Sequence, residues 1–217
     1  MPVVDLSQND SVLNTFVSEL RNVEIQNDPI RFRTNLSRIG EVMAYEISKT
    51  LSYKDKSIET PLGTHSSSFV EDKLVIATIL RAGLPFHLGF LNYFDRAENA
   101  FVSAYRRYTN KNHFDIDVEY VSSPDIDGKT LILVDPMLAT GNSLRLAYEA
   151  LLSKGRPVKI HFACVIASQA GVDQMMDTLD RDDISLWCAA IDAELNSKSY
   201  IVPGLGDAGD LAYGEKT

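Results

Sequence analysis

The stretch Leu131-Ile132-Leu133-Val134-Asp135-Pro136-Met137-Leu138-Ala139-Thr140-Gly141-Asn142-Ser143 decides how this chain is read. Four consecutive aliphatic residues indicate a strand buried on both faces. An acidic residue ends it, and a short loop of small and hydroxyl residues leads into a helical pattern over 143–154. Leu144, Ala147, Tyr148 and Leu151 recur there at helical spacing, and Gly155 followed by Pro157 supplies a stop. A helix start leaves backbone N–H groups unpaired, with the positive end of the helix dipole behind them. That makes a ready site for a phosphate monoester. Thr140 and Ser143 can add hydroxyl donors, Gly141 lets the backbone approach closely, and Asp135 can accept hydrogen bonds from sugar hydroxyls. The same residues also suit a plain turn in which Thr140 or Ser143 only caps the helix.

Apolar runs of similar texture lie on both sides, over 74–80, 100–104, 158–163 and 184–187, with helical patterns over 85–93 and 169–179. This alternation predicts an α/β fold whose mostly parallel sheet is covered by helices on both faces. Ligands of such sheets bind at the carboxyl ends of strands, so the loops that follow the strands are the informative ones. Ahead of them, Leu13, Phe16, Val17 and Leu20 form one helical stripe, and Leu36, Ile39, Met43 and Ile47 another. Both stripes read as packing faces.

The bulk properties set limits. The 217 residues suit one domain over 1–217, with N-terminal helices over 1–50, a core over 73–190 and a C-terminal segment over 191–217. No apolar run reaches the roughly 18 residues that span a bilayer. The N-terminus has no basic stretch followed by an apolar one, so the expectation is a soluble, cytoplasmic protein. Cys164 and Cys188 sit in apolar runs and read as two reduced thiols packed in strands. The net charge of −9 makes the chain a poor general binder of nucleic acid or anionic membrane. Any polyphosphate must therefore be held by local Arg residues and backbone N–H groups.

A nucleotide triphosphatase is excluded, because Gly-x-x-x-x-Gly-Lys-Ser/Thr is absent and no Lys follows Gly141. A dinucleotide fingerprint is also set aside. Its nearest counterpart, Gly204-Leu205-Gly206 followed by Gly209, lies near the C-terminus and is read as not opening a helix. No Ser/His/Asp or Cys/His arrangement stands out, and the four His residues lack ligand spacing.

The run over 131–143 resembles the motif that binds 5-phosphoribosyl 1-diphosphate in type I phosphoribosyltransferases. Its Asp135-Pro136-Met137-Leu138-Ala139-Thr140-Gly141 wording is similar to that of the uracil phosphoribosyltransferases. Asn142 departs from that family, which usually has a second Gly there; Asn is the next most tolerant of a left-handed conformation. Two further loops fit the resemblance. Ile79-Leu80-Arg81-Ala82-Gly83 ends one strand and opens a helix, and Tyr105-Arg106-Arg107 follows another strand. The resemblance implies that Arg81 and Arg106 contact the donor's phosphates, with Arg106 opening a mobile loop whose wording over 108–120 departs from the family's. A guanidinium suits that role, since it can hold phosphate oxygens bidentately.

The C-terminal run Tyr200-Ile201-Val202-Pro203-Gly204-Leu205-Gly206-Asp207-Ala208-Gly209-Asp210 resembles the same family's uracil-binding flap. The resemblance implies that backbone groups of Ile201, Gly206 and Ala208 hold the base edge and that Tyr200 lies by the ribose. Asp207 is implied near the donor and its Mg²⁺. Arg31-Phe32-Arg33 is a weaker echo. Relatives usually form dimers or higher homo-oligomers. The expectations are thus uracil and 5-phosphoribosyl 1-diphosphate as substrates, Mg²⁺ as cofactor, a homodimer or higher oligomer, and no nucleic acid or membrane partner. A purine base on the same fold and a nucleotide-sensing RNA binder are the rivals.

Overall fold

Thr130–Val134 forms a strand buried at every position, as a run of aliphatic residues requires where both faces of a sheet are covered. The computed structural model describes residues 1–110 and 113–216, leaving aside the side chains of 104–118. Its elements begin with β1 (Val3–Asp5), α1 (Val12–Arg21), α2 (Pro29–Ser48), and a hairpin of β2 (Tyr53–Thr60) and β3 (Gly63–Val70). Next come β4 (Leu74–Leu80), α3 (Leu84–Tyr93), β5 (Glu98–Asn110), β6 (His113–Ser122), β7 (Thr130–Val134), β8 (Met137–Leu138) and α4 (Asn142–Leu151). The chain continues through β9 (Lys159–Ser168), α5 (Gln169–Leu179), β10 (Ile184–Asp192), β11 (Glu194–Leu195), β12 (Ile201–Val202) and α6 (Ala208–Tyr213).

The main sheet runs β1-β10-β9-β7-β4-β5-β6, with the short β8 also paired to β9. Every pair in it is parallel except β5 with β6. Side chains alternate between the two faces of each strand. On β4, Leu74 and Ile76 join the core under α1, α2 and α3, while Val75, Ala77 and Ile79 join the core under α4 and α5. The expected α/β architecture is therefore the observed one.

Several boundaries differ from the sequence reading. The strands expected over 100–104, 158–163 and 184–187 extend to Asn110, Ser168 and Asp192. Much of the 108–120 stretch, expected as a loop, is backbone of the antiparallel β5–β6 pair, and residues 111–112 lie outside the described ones. The pattern over 143–154 becomes a helix over Asn142–Leu151 and a tighter final turn over Leu152–Lys154. Cys164 and Cys188 are free and buried on paired strands, with Sγ atoms 3.4 Å apart. Burial pushes the Cys164 thiol well above its ordinary range, which keeps it unreactive.

The C-terminal glycine run differs from its sequence reading. Gly204, Gly206 and Gly209 have the fingerprint's spacing, and this segment does open a helix, α6. It still forms no dinucleotide site, because the strand before it has two residues and lies in a separate two-stranded sheet, and α6 has only six.

Candidate active site

Helix starts divide into two kinds. The Ser11 side chain caps α1, Asp28 caps α2 and Ser168 caps α5, each accepting backbone N–H bonds. By contrast, α3 and α4 start at Gly83 and Gly141, and neither has a side-chain cap. The turns leading into both of these uncapped helices contribute to the wall of one cavity of about 770 Å³. It opens at the carboxyl ends of β4 and β7, where a parallel sheet places its ligands.

The loop between β7 and α4 builds one wall. Met137 and Leu138 pair with Ile166 and Ala167 of β9 as β8, and the Ser168 hydroxyl donates to the Ala139 carbonyl at 2.6 Å. The loop is thus pinned at its middle. Gly141 then turns at φ +79°, where a side chain would be strained and its Cβ would press on Met175 at 3.2 Å. Asp135, Met137, Leu138, Ala139, Thr140, Gly141 and Ser143 all line the cavity. Pro136 and Asn142 do not: Pro136 is buried with its carbonyl accepting from Val165 and Ile166, and Asn142 is exposed at the start of α4. The left-handed residue is Gly141, so the tolerance of Asn142 for that conformation is not called upon. With α4 uncapped, neither Thr140 nor Ser143 plays the plain capping role.

Asp135 stands on this wall, and among the described residues its side chain accepts one hydrogen bond, from the Met137 amide at 3.5 Å. Burial raises its carboxyl to about 7, while that amide pulls weakly the other way. A sugar hydroxyl would supply the missing hydrogen bonds.

Arg81 follows β4 at the cavity edge. Its Nη2 donates to Asp210 Oδ1 and to the Gly214 carbonyl, both at 3.2 Å, while the buried Nε has no partner among the described residues. It is thus a cation with donor capacity in reserve. Arg106 lies on β5 across from Ile116, and its side chain falls outside the described ones.

The opposite wall comes from the C-terminal segment, where Tyr200, Ile201, Gly206, Asp207 and Ala208 all line the cavity. The Asn196 carboxamide accepts from the Lys198 and Tyr200 amides and turns the chain into β12. Ile201, Leu205 and Ala208 belong to the core. Gly206 turns at φ +95°, and among the described residues nothing pairs with its N–H or carbonyl. Asp207 Oδ1 caps α6 by accepting from the Gly209 and Asp210 amides, which leaves Oδ2 uncommitted among the described residues. Arg33 of the weaker N-terminal echo donates to the Ala212 carbonyl and so braces α6, whereas Arg31 pairs with Glu19.

Ser103, Ser199, Gly209, Glu215 and Lys216 also line the cavity and were not expected there. Ser199 is the one non-glycine residue with positive φ among those described, and the polar run before it was the available signal. Glu215 and Lys216 had none, since they sit beyond any periodic pattern.

Known proteins resemble this chain over nearly its whole length. The family model described as uracil phosphoribosyltransferase matches residues 7–215. A uracil phosphoribosyltransferase of Porphyromonas gingivalis is 59% identical over 216 residues, covering 100% of both chains. The solved AQ2163 protein from Aquifex aeolicus has TM-score 0.87 and 28% identity, covering 98% of each chain. A hypoxanthine phosphoribosyltransferase from Staphylococcus aureus shares the fold at TM-score 0.51 and 13% identity, covering 86% of this chain and 83% of that one. The chain belongs to the uracil phosphoribosyltransferase family.

Proposed function

We propose that the chain transfers the 5-phosphoribosyl group of 5-phosphoribosyl 1-diphosphate to N1 of uracil, giving UMP and diphosphate. The observation that carries this reading is a single cavity joining an uncapped helix start and Asp135 on one wall to a glycine-rich backbone turn on the other. The α4 end takes the 5′-phosphate on its free N–H groups, and Asp135 orients the ribose hydroxyls. Uracil N1 attacks the ribose C1, the bond from C1 to the diphosphate oxygen breaks, and the N1 proton passes to water or to the departing diphosphate. Negative charge grows on the departing diphosphate, where Arg81 and Arg106 hold it. Holding both reactants in line itself contributes about 7–11 kcal/mol.

Uracil offers O4 as acceptor and N3–H as donor, and cytosine reverses both. Main-chain groups at Ile201, Gly206 and Ala208 cannot rotate to suit the reversed pattern. Each unpaired buried partner costs about 1–3 kcal/mol, so cytosine is rejected.

Mg²⁺ belongs to this reading. Among the described residues no group of three or more metal-ligating side chains occurs. Asp135 and Asp207 both line the cavity, a donor set that suits Mg²⁺ carried on substrate phosphates and water. Asp207, through Oδ2, and the donor's own oxygens would hold it. When bound it neutralises charge on the diphosphate.

The reading also places the protein in the cytoplasm as a homodimer or higher oligomer. Two free buried thiols suit a reducing compartment. The β2–β3 hairpin, exposed at nearly every position yet carrying Tyr53, Ile58, Leu62, Phe69 and Val70, suits a partner subunit.

The test is diphosphate release with the sugar donor and Mg²⁺, offering uracil, cytosine, hypoxanthine and adenine separately. Turnover with uracil alone is expected. Turnover with a purine would overturn the base assignment, and cytosine turnover within about tenfold of uracil would overturn the backbone account.

A further inference from the structure

A base reader made of backbone has a physical weakness. Its donors and acceptors discriminate only if the turn carrying them is held still, and glycine-rich chain is the least rigid kind. In this protein the turn is gripped from behind. Arg21, the last residue of α1, meets Asp192, the last residue of β10, through two parallel bonds: Nη1 to Oδ2 at 2.7 Å and Nη2 to Oδ1 at 2.8 Å. Both partners also reach Gly204. Its N–H donates to Asp192 Oδ2 at 2.9 Å, and its carbonyl accepts from Arg21 Nη1 at 3.0 Å. Gly204 must be glycine here, since φ is +56° and a Cβ would sit 2.2 Å from the Ile201 carbonyl oxygen. Asp192 is 8% exposed and Arg21 22%, so water competes weakly for the pair. Neither residue nor Gly204 lines the cavity.

We infer that Arg21 and Asp192 are positioning residues for uracil. Together they fix both main-chain groups of Gly204, two residues before Gly206, and thereby hold the base-reading turn in register against the sheet. The inference rests on the base-site reading above and extends it to two side chains that touch no substrate. The pair spans 171 residues and ties the first long helix to the end of the central sheet and the C-terminal turn. Its geometry is bidentate, which Lys cannot reproduce.

The experiment compares D192N and R21K with wild type and with G206A, a variant of the base wall. The Michaelis constants for uracil and for the sugar donor are measured separately. Amide hydrogen exchange over 204–208 is followed in the ligand-free proteins. Each single variant is expected to raise the uracil constant about tenfold, with the donor constant within about twofold. Exchange over 204–208 is expected to quicken about tenfold while β9 and β10 stay protected. R21K/D192N combined is expected to cost little more than either alone, because one grip is lost once. A uracil constant within about twofold of wild type in both single variants, with G206A impaired, would overturn the positioning role. Equal rises in both constants would overturn it as well, by showing a general loss of structure. An unimpaired G206A would overturn the base-site reading and the grip with it.

Discussion

Arg81 and Asp135 carry opposite charges and opposite electrostatic problems. Among the described residues Arg81 has an unpartnered buried Nε and long bonds to Asp210 of α6 and to Gly214 just after it, so a diphosphate would improve its circumstances at once. Arg81→Ala is expected to lower turnover at least about a hundredfold by removing charge stabilisation from the leaving group. The fold should survive, since a half-exposed pair with Asp210 contributes about 1 kcal/mol or less. Steady-state kinetics beside a thermal melt checks this, and turnover within about threefold of wild type would remove Arg81 from the role. Asp135 has a carboxyl raised from 3.8 to about 7 by burial, so near neutral pH the folded free enzyme holds a mixture of its protonated and charged forms. For such a group the stabilising contribution is full below 3.8 and is lost as pH rises through about 7. Relative to Asp135→Asn, the free protein should lose stability across that window. The loss is at most about 4 kcal/mol, and less because water in the cavity reaches the carboxyl. Ribose hydroxyls donate to the charged form, so donor binding should tighten from pH 6 to pH 8 more in wild type than in the Asn variant, where only the donor's own phosphates titrate. Equal pH dependence in both would dismiss Asp135 as the sugar's acceptor.

At the level of elements, what the sequence disclosed followed burial. Thr130–Val134 and Leu74–Leu80 were legible because their apolar runs answer to cores on both faces of the sheet, and Gln169–Leu179 because its one apolar stripe answers to a single core. The β2–β3 hairpin left no such trace: its side chains face water, and sequences such as Lys54-Asp55-Lys56-Ser57 show no apolar alternation. Nor did the antiparallel β6 or the short α6 announce themselves. A two-stranded hairpin on its own is marginal in water, so its persistence needs an apolar partner. If that partner is a second copy, placing charge at the tip and on one face should separate the copies. The variant Leu62→Glu/Phe69→Glu is expected to sediment as a monomer where wild type sediments as a dimer or larger. A wild-type chain that sediments as a monomer at micromolar concentration would contradict the oligomer proposal.

The molecule as a whole sets a net charge of −9 against a proposed sugar donor that is itself an anion. Both walls of the site were legible as separate motifs, yet nothing in the chain's pattern showed that Arg21 and Asp192 meet behind the second wall. That contact spans 171 residues and involves two charges with no motif around them. Fields of this molecule decay over about 8–10 Å at ordinary ionic strength. A small donor entering the cavity therefore feels Arg81, Lys216 and the α4 start within a few ångströms, more than the distant acidic surface. A polynucleotide lies along that surface and must neutralise many phosphates at once. The same charge distribution that suits one sugar diphosphate is expected to disfavour RNA, and that expectation separates the enzymatic reading from a nucleotide-sensing RNA binder. Short single-stranded RNA is expected to show no retained complex in a mobility-shift assay at low salt, while uracil turnover proceeds in the same buffer. A complex whose affinity falls steeply with added salt would mean that assembly gathers positive charge onto one face, and the regulatory reading would then have a surface to act through.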